Sequence, residues 1–379
     1  MIVVTALGWA AAILAVCGLA YTALAAILAA RFLGKTARAG GDFPDVTVIK
    51  PLHGDHGDLA RALGRFCEQD YPGQVQIVFG VHDADDPAIA VVRALQASHP
   101  DIDIDLAIDA RLHGANRKAS NLINIAARAK HEVLILSDAD IIVGPSYLRT
   151  VVAALGAPGV GAVSCLYVGE DHGDVWSKLS AMAINYQFLP SAILGKAVGL
   201  AQPCFGSTIA IRAQLLSRIG GFAAFADHLA DDYEIGRAVR AQGYKIALPP
   251  MVVSHLCAEA SGRELIAHEL RWGRTVRQID PAGYAGSLVT HPLPLALIAT
   301  ILLGVTPATL GLIFTILFAR MAQKLCVDAA TGARAGAWWL MPARDVLSLG
   351  VFAASFAVNT VGWQGRRFRV GRDGVLSHP

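Results

Sequence analysis

The chain has 379 residues, 54% of them hydrophobic and only 16% charged, with a formal net charge of +2. That balance departs from an ordinary soluble domain and gives no reason to expect a nucleic-acid partner. Its six cysteines form no Cys-x-x-Cys pair and no His spacing suited to zinc, so reduced thiols are expected. The first element is the uncharged run Ile2 to Ala30, long enough to cross a bilayer, which takes about 20 apolar residues. No basic region precedes it and it exceeds a signal-peptide core, so residues 1–31 read as a retained anchor. Arg31, Lys35 and Arg38 follow directly, which places the N-terminus outside and the chain from residue 40 in the cytoplasm.

Residues 42–280 alternate between strand and helix patterns. Val46 to Ile49 is an apolar strand ending in Lys50-Pro51-Leu52-His53-Gly54, and a helical stretch from Leu59 to Glu68 follows. Val75 to Val81 is a second strand, ending in the acidic loop His82-Asp83-Ala84-Asp85-Asp86-Pro87. Helix 88–98, strand 102–108, helix 119–129 and strand 132–136 continue the order, which argues for an α/β fold with a mostly parallel sheet covered on both faces. Ligands bind such sheets at the carboxyl ends of the strands, where the acidic loops fall. Beyond this domain, residues 286–320 are either a hairpin of two short helices or one kinked span broken at Gly304-Val305-Thr306-Pro307. A membrane segment over 345–363, which contains Asn359, leads into a basic tail over 364–379. Arg366, Arg367, Arg369 and Arg372 in that tail meet either solvent or anionic lipid headgroups.

The strongest local signal for chemistry is Leu134-Ile135-Leu136-Ser137-Asp138-Ala139-Asp140, an apolar strand ending in two carboxylates. Two hard oxygen ligands at a turn suit Mg²⁺ or Mn²⁺, which bridges the phosphates of a nucleotide. A solvated acidic turn is the alternative, and only neighbouring motifs separate the two. Those neighbours are Ala201-Gln202-Pro203-Cys204-Phe205-Gly206-Ser207-Thr208, Gly220-Gly221-Phe222, His228-Leu229-Ala230-Asp231-Asp232-Tyr233-Glu234 and His268-Glu269-Leu270-Arg271-Trp272.

In this order, with Lys50-Pro51-Leu52, Asp85-Asp86-Pro87-Ala88 and the flanking apolar segments, the chain resembles inverting glycosyltransferases of the ceramide glucosyltransferase type. These form a lipid-modifying branch of the family 2-like group with a GT-A fold, and their bacterial relatives include hopanoid-pathway transferases. The resemblance implies a UDP-sugar donor, either UDP-glucose or UDP-GlcNAc, and a ceramide or hopanoid acceptor, at a bacterial inner membrane. It further implies donor binding by Asp86, metal ligation by Asp138 and Asp140, and general-base action by Asp232, with Asp231 orienting the acceptor. Asp83 or Asp85 contacts the base. Asn116 and Lys118 match an Asn-x-Lys loop opening a helix, where Lys118 reaches a donor phosphate. Arg271 pairs with the diphosphate and Trp272 packs beside donor or lipid. His268 stands where the family commonly has Gln or Arg, which leaves that position's role open and speaks against a processive polysaccharide synthase. Cys204 belongs to the segment that lines the acceptor side in the family, or is simply a small buried hydrophobe.

Overall fold

The computed structural model describes residues 2–36, 40–55, 58–357, 360–363, 366–370 and 375–377. Arg38, Asn359 and Arg372 lie outside the described residues, as do the side chains of Arg366, Arg367 and Arg369. The chain opens with helix α1 (Ile2–Leu33) and enters the α/β region through β1 (Val46–Pro51), α2 (Leu59–Cys67), β2 (Val75–Val81), α3 (Ala88–Ser98) and β3 (Asp103–Ile108). It continues with α4 (Arg117–Ala126), β4 (Val133–Leu136), β5 (Ile141–Ile142), α5 (Tyr147–Leu155), β6 (Val160–Ser164) and β7 (Leu166–Asp171). Next come α6 (Val175–Ala183), a π-helical turn (Ile184–Phe188), α7 (Leu189–Ala197), β8 (Ile209–Arg212), α8 (Ala213–Arg218), α9 (Asp231–Ala241), β9 (Lys245–Ala247) and β10 (Val252–Cys257).

The main sheet has seven strands in the order β3-β2-β1-β4-β8-β6-β9, parallel except where β8 runs against β4 and β6. Apolar residues fill both faces. Phe66, Phe79, Tyr147 and Val151 pack on one side, and Leu122, Ile125, Ile211 and Phe222 on the other. The chain runs from β1 to β2 on one side and reaches β4 on the other, so the order reverses between β1 and β4. A crevice opens at such a reversal, beyond the strand ends. A second sheet, β5-β10-β7, hangs from that same edge.

The remaining helices are α10 (Gly262–Ile279), α11 (Pro281–Gly286), α12 (Pro292–Leu303), α13 (Pro307–Thr331) and α14 (Met341–Ala357), followed by three short strands ending at Ser377. Among the described residues, three helical segments are long and apolar enough to cross a membrane: Ile2–Leu33, Pro307–Thr331 and Trp338–Ala357, the last formed by a 3-10 turn and α14. A fourth candidate, Pro281–Thr290 with Pro292–Leu303, is bent by 70°. Of the alternatives for 286–320, the structure takes helix–turn–helix: Gly304 adopts φ +91° and Thr306 caps α13. Helix α12, at about 18 Å, is short for a full crossing, and both α12 and α13 pack against α1. Gly18 of α1 permits that approach, because a Cβ there would overlap the Val289 carbonyl oxygen.

Two sequence boundaries move. Helix α13 runs on to Thr331, eleven residues beyond the expected end at 320, because Arg320 and Lys324 find partners inside the bundle. The last membrane segment, expected over 345–363, is helical only to Ala357, and Thr360–Trp363 is a strand paired antiparallel with Arg366–Val370.

Candidate active site

The two acids of the strand-end motif lie in the short turn between β4 and β5. Asp138 is fixed through its backbone: its N–H donates to the Gly206 carbonyl at 3.2 Å, and its own carbonyl accepts from Lys50 Nζ at 2.7 Å. Asp140 is fixed by β5, which it immediately precedes. Ile141 pairs with His255 on β10, and Leu256 N–H donates to the Asp140 carbonyl at 2.9 Å. That pairing brings His255 Nε2 to 3.3 Å from Asp140 Oδ2. Burial opposes the charge on Asp140, but His255 outweighs it and holds the carboxyl well below its usual range. His255 responds in kind, since Asp140 overcomes burial and raises it well above an ordinary imidazole.

Lys118 stands at the start of α4, whose N-cap Asn116 accepts from Ala119 N–H at 2.9 Å. From there Lys118 Nζ reaches Asp138 Oδ1 at 2.5 Å and Asp231 Oδ2 at 3.8 Å. Burial disfavours its ammonium, yet Asp138, Asp231 and Asp232 together keep it charged. Gly206 is required by this contact, because a Cβ there would lie 2.7 Å from Asp138 Oδ2 and 2.8 Å from Lys118 Nζ.

Helix α9 begins with Asp231 and Asp232, where the positive end of the helix favours acids. Neither is the N-cap, which is Ala230. Asp232 Oδ2 accepts from Gly206 N–H at 2.9 Å and Oδ1 from its neighbour Tyr233 N–H at 2.8 Å. Burial, followed by the charge of Asp231, pushes Asp232 up to about 6. Asn116 Nδ2 donates to the His228 carbonyl at 2.8 Å and lies 3.4 Å from Asp231 Oδ1, so it aligns α9 with α4.

His268, Arg271, Trp272 and Thr275 share one face of α10 and line one wall of the cleft. His268 Nδ1 is held by Glu259 Oε1 at 2.5 Å. Arg271 makes no ion pair among the described residues. Burial pulls its guanidinium down, opposed by Asp140 and Asp138.

These groups surround a cleft of about 660 Å³ lined by Lys118, Asp138, Asp140, Asp231, Asp232, His255 and Arg271. A second cavity, about 500 Å³ and mainly apolar, lies on the other side of Tyr167, Phe205, Asp232, His268 and Trp272, all of which line both spaces. It reaches Tyr21 of α1 and Val351 and Phe352 of α14.

Of the residues singled out from sequence, Asp138, Asp140, Asp231, Asp232, Lys118, His268, Arg271 and Trp272 meet at the cleft. Cys204 lies instead on the apolar cavity, 4% exposed, where burial pushes its thiol far up. Asn116 and Asp86 stand behind the wall. Both Asp86 oxygens accept from Gly54 N–H at 3.0 Å, and Oδ1 also accepts from Ala88 N–H at 2.9 Å. Asp86 thereby shapes the His53-Gly54 loop, which does line the cleft. Asp83 and Asp85 do not line it, and the Asp83 carboxylate accepts from Asp85 N–H. Sequence reasoning missed Lys50, His255 and Glu259.

Comparison with known proteins gives three results. The model of glycosyl transferase family 21 matches residues 10–376. Ceramide glucosyltransferase 1 of Caenorhabditis elegans is 24% identical over 206 residues, 54% of this chain and 44% of its own. A ceramide glucosyltransferase of Candida albicans is 29% identical over 125 residues, 30% of this chain and 23% of its own. This chain thus spans less than half the length of these two relatives. A mannosyltransferase from Pyrobaculum calidifontis, solved with GDP-Man and Mn²⁺, has a similar fold, with a TM-score of 0.53 and 23% identity over 93% of this chain and 99% of that one. With the family model matching residues 10–376 and Asp138, Asp140 and Asp232 lining one cleft, the chain belongs to glycosyl transferase family 21.

Proposed function

We propose that this protein is an inverting, metal-assisted transferase that moves glucose from UDP-glucose to the primary hydroxyl of ceramide. The observation that carries the reading is the position of Asp232 on the wall shared by the polar cleft and the apolar cavity. A nucleotide sugar suits the first space, with its cations and paired acids. A lipid suits the second, which runs toward the membrane helices. The relatives described above are named for ceramide, which supports it over a hopanoid polyol and a UDP-GlcNAc donor.

In this reading Lys118 and Arg271 neutralise the diphosphate. The lipid oxygen attacks the anomeric carbon opposite the leaving UDP, Asp232 takes the hydroxyl proton, and the bond to UDP breaks with a single inversion. A carboxylate raised to about 6 is suited to accept that proton near neutral pH. Asp140 Oδ1 is buried with no hydrogen-bond partner, and together with Asp138 it presents hard oxygen ligands that fit Mg²⁺ or Mn²⁺. No group of three metal-ligating side chains is assembled among the described residues, so donor phosphates would complete the coordination. Bound there, the cation offsets charge on the leaving diphosphate. His255 and Lys50 keep the two acids in place. We further read the catalytic domain as facing the cytoplasm, as Arg31 in the last turn of α1 and Lys35 just beyond it favour.

The test is transfer by the purified full chain in detergent, with UDP-glucose, Mn²⁺ or Mg²⁺, and ceramide. Glucosylceramide that disappears on chelation is the expected product by mass spectrometry. Transfer confined to diacylglycerol or to a hopanoid would overturn the reading.

A further inference from the structure

Away from Asp232 and His268, a hydrogen-bonded polar stretch of the apolar cavity's wall is made by Gln187, Glu269, Thr290, His291, Arg344 and Ser348. They come from the π-helical turn, α10, the bend before α12, and α14. Arg344 Nη2 donates to Glu269 Oε2 at 2.8 Å and to Ser348 Oγ at 2.9 Å, and Ser348 Oγ donates to Gln187 Oε1 at 2.8 Å. Gln187 Nε2 is 3.3 Å from His291 Nδ1 and 3.4 Å from Thr290 Oγ1, at the long limit for a hydrogen bond.

This wall is incompletely satisfied. Arg344 Nη1 and Glu269 Oε1 form an ion pair at 2.7 Å, but neither atom has a hydrogen-bond partner of acceptable geometry, and Arg344 Nε has none either. Buried polar groups are normally paired, so open ones on a cavity wall await a ligand. The neighbouring ion pair makes the contrast. Arg320 Nε and Nη2 bind both oxygens of Asp345, and Nη1 donates to the Tyr186 carbonyl. Neither Arg320 nor Asp345 lines the cavity, and their pair fastens α13 to α14. Arg344, adjacent to Asp345, faces the cavity with valences to spare. A charged pair in a membrane bundle is costly and is usually retained for a substrate or pathway.

Position matters as well. Glu269 follows His268, which lines the donor cleft, so the polar wall begins one residue from the reacting end of the cavity. The π-helical turn that carries Gln187 is a local widening of the α6–α7 helix, of a kind frequent at functional sites.

We propose that this wall is the subsite for the polar groups of the lipid just below the attacked hydroxyl, and that it selects a backbone carrying an amide and a second hydroxyl over an acylglycerol. The inference rests on the lipid-acceptor reading above. An amide N–H would give Glu269 Oε1 the hydrogen-bond donor it lacks beside its ion pair with Arg344, and an amide carbonyl would accept from Arg344 Nε. Gln187 offers both a donor and an acceptor to a hydroxyl. A diacylglycerol presents a primary hydroxyl and ester carbonyls, but no N–H and no second hydroxyl, and gives Glu269 Oε1 no hydrogen-bond donor.

The experiment compares kcat/KM for ceramide and for dioleoylglycerol in the same detergent micelles, for the full-length protein and for Gln187→Leu, Glu269→Gln and Ser348→Ala. Ser348→Ala removes only a hydroxyl and disturbs packing least, and the KM for UDP-glucose verifies that each variant is folded. The expected result is a fall of roughly tenfold or more in the ceramide-to-diacylglycerol ratio with the donor KM unchanged, because a site built to hydrogen-bond a substrate group discriminates through that group. An unchanged ratio in all folded variants overturns the subsite while leaving the transferase reading intact. If the unsubstituted protein makes no glucosylceramide, the transferase reading itself fails and the subsite with it.

Discussion

Lys50 is fully buried at the end of β1, its Nζ 3.3 Å from Ser137 Oγ and 3.9 Å from the centre of the Phe66 ring. Burial pulls it down to about 7, against Asp140 and Asp138, so it is the least comfortable cation near the site. Its tie to the Asp138 carbonyl identifies it as a positioning residue, and Lys50→Met is expected to weaken metal-dependent UDP binding, measured by calorimetry, more than it lowers thermal stability. Asp232 has a sharper signature. Its carboxyl lies above the ordinary range and gains its proton as pH falls through about 6, so with Asp232 as the proposed base kcat should decline below that pH. Asp231→Asn removes a like charge and should move this limb to lower pH. Asp232→Asn is expected to cost about a thousandfold in kcat while UDP still binds. Gly206→Ala drives a methyl into Asp138 and Lys118, and displacement of reacting groups by about 1 Å predicts a loss near a hundredfold in kcat/KM. The acids were legible because two carboxylates at the end of an apolar strand are a local pattern. His255 was not, since its meeting with Asp140 depends on β10 pairing with β5 from more than a hundred residues away, and a single histidine within a strand carries no local mark.

Periodicity located the elements from β1 to β4 to within about three residues, because each strand and helix there buries a face against the core. Apolar runs were a poorer guide to the membrane helices. A run stops at its first charge, whereas α13 continues past Arg320 because Asp345 on α14 neutralises it and the Tyr186 carbonyl accepts from it. Such a pair is strongly destabilising when broken. Asp345→Ala should cost about 3 kcal/mol, read as a lower unfolding temperature in detergent, and the double variant Asp345→Leu with Arg320→Met should recover much of it. The π-helical turn had no sequence signal either. It follows from tertiary packing, with Tyr186 OH donating to Asp328 Oδ1 at 2.6 Å and Asn185 Oδ1 accepting from Gly169 N–H at 2.6 Å.

At the scale of the whole molecule, α1 does more than tether. It packs against α7, α12 and α13, and Tyr21 lines the apolar cavity. A protein lacking residues 2–33 is therefore expected to lose transfer to ceramide even when the lipid is supplied in detergent, yet to retain UDP binding; full transfer by the truncated form would show that α1 is only an anchor. The shared wall at Asp232 has a kinetic consequence. On the proposed reading, nucleotide and lipid take separate spaces that meet at one carboxylate, and neither passes through the other's chamber. The two substrates should bind in either order, and both must be present before any bond breaks. UDP should then compete with UDP-glucose but not with ceramide, and the finished glycolipid should slip sideways into the bilayer while UDP leaves on the opposite side.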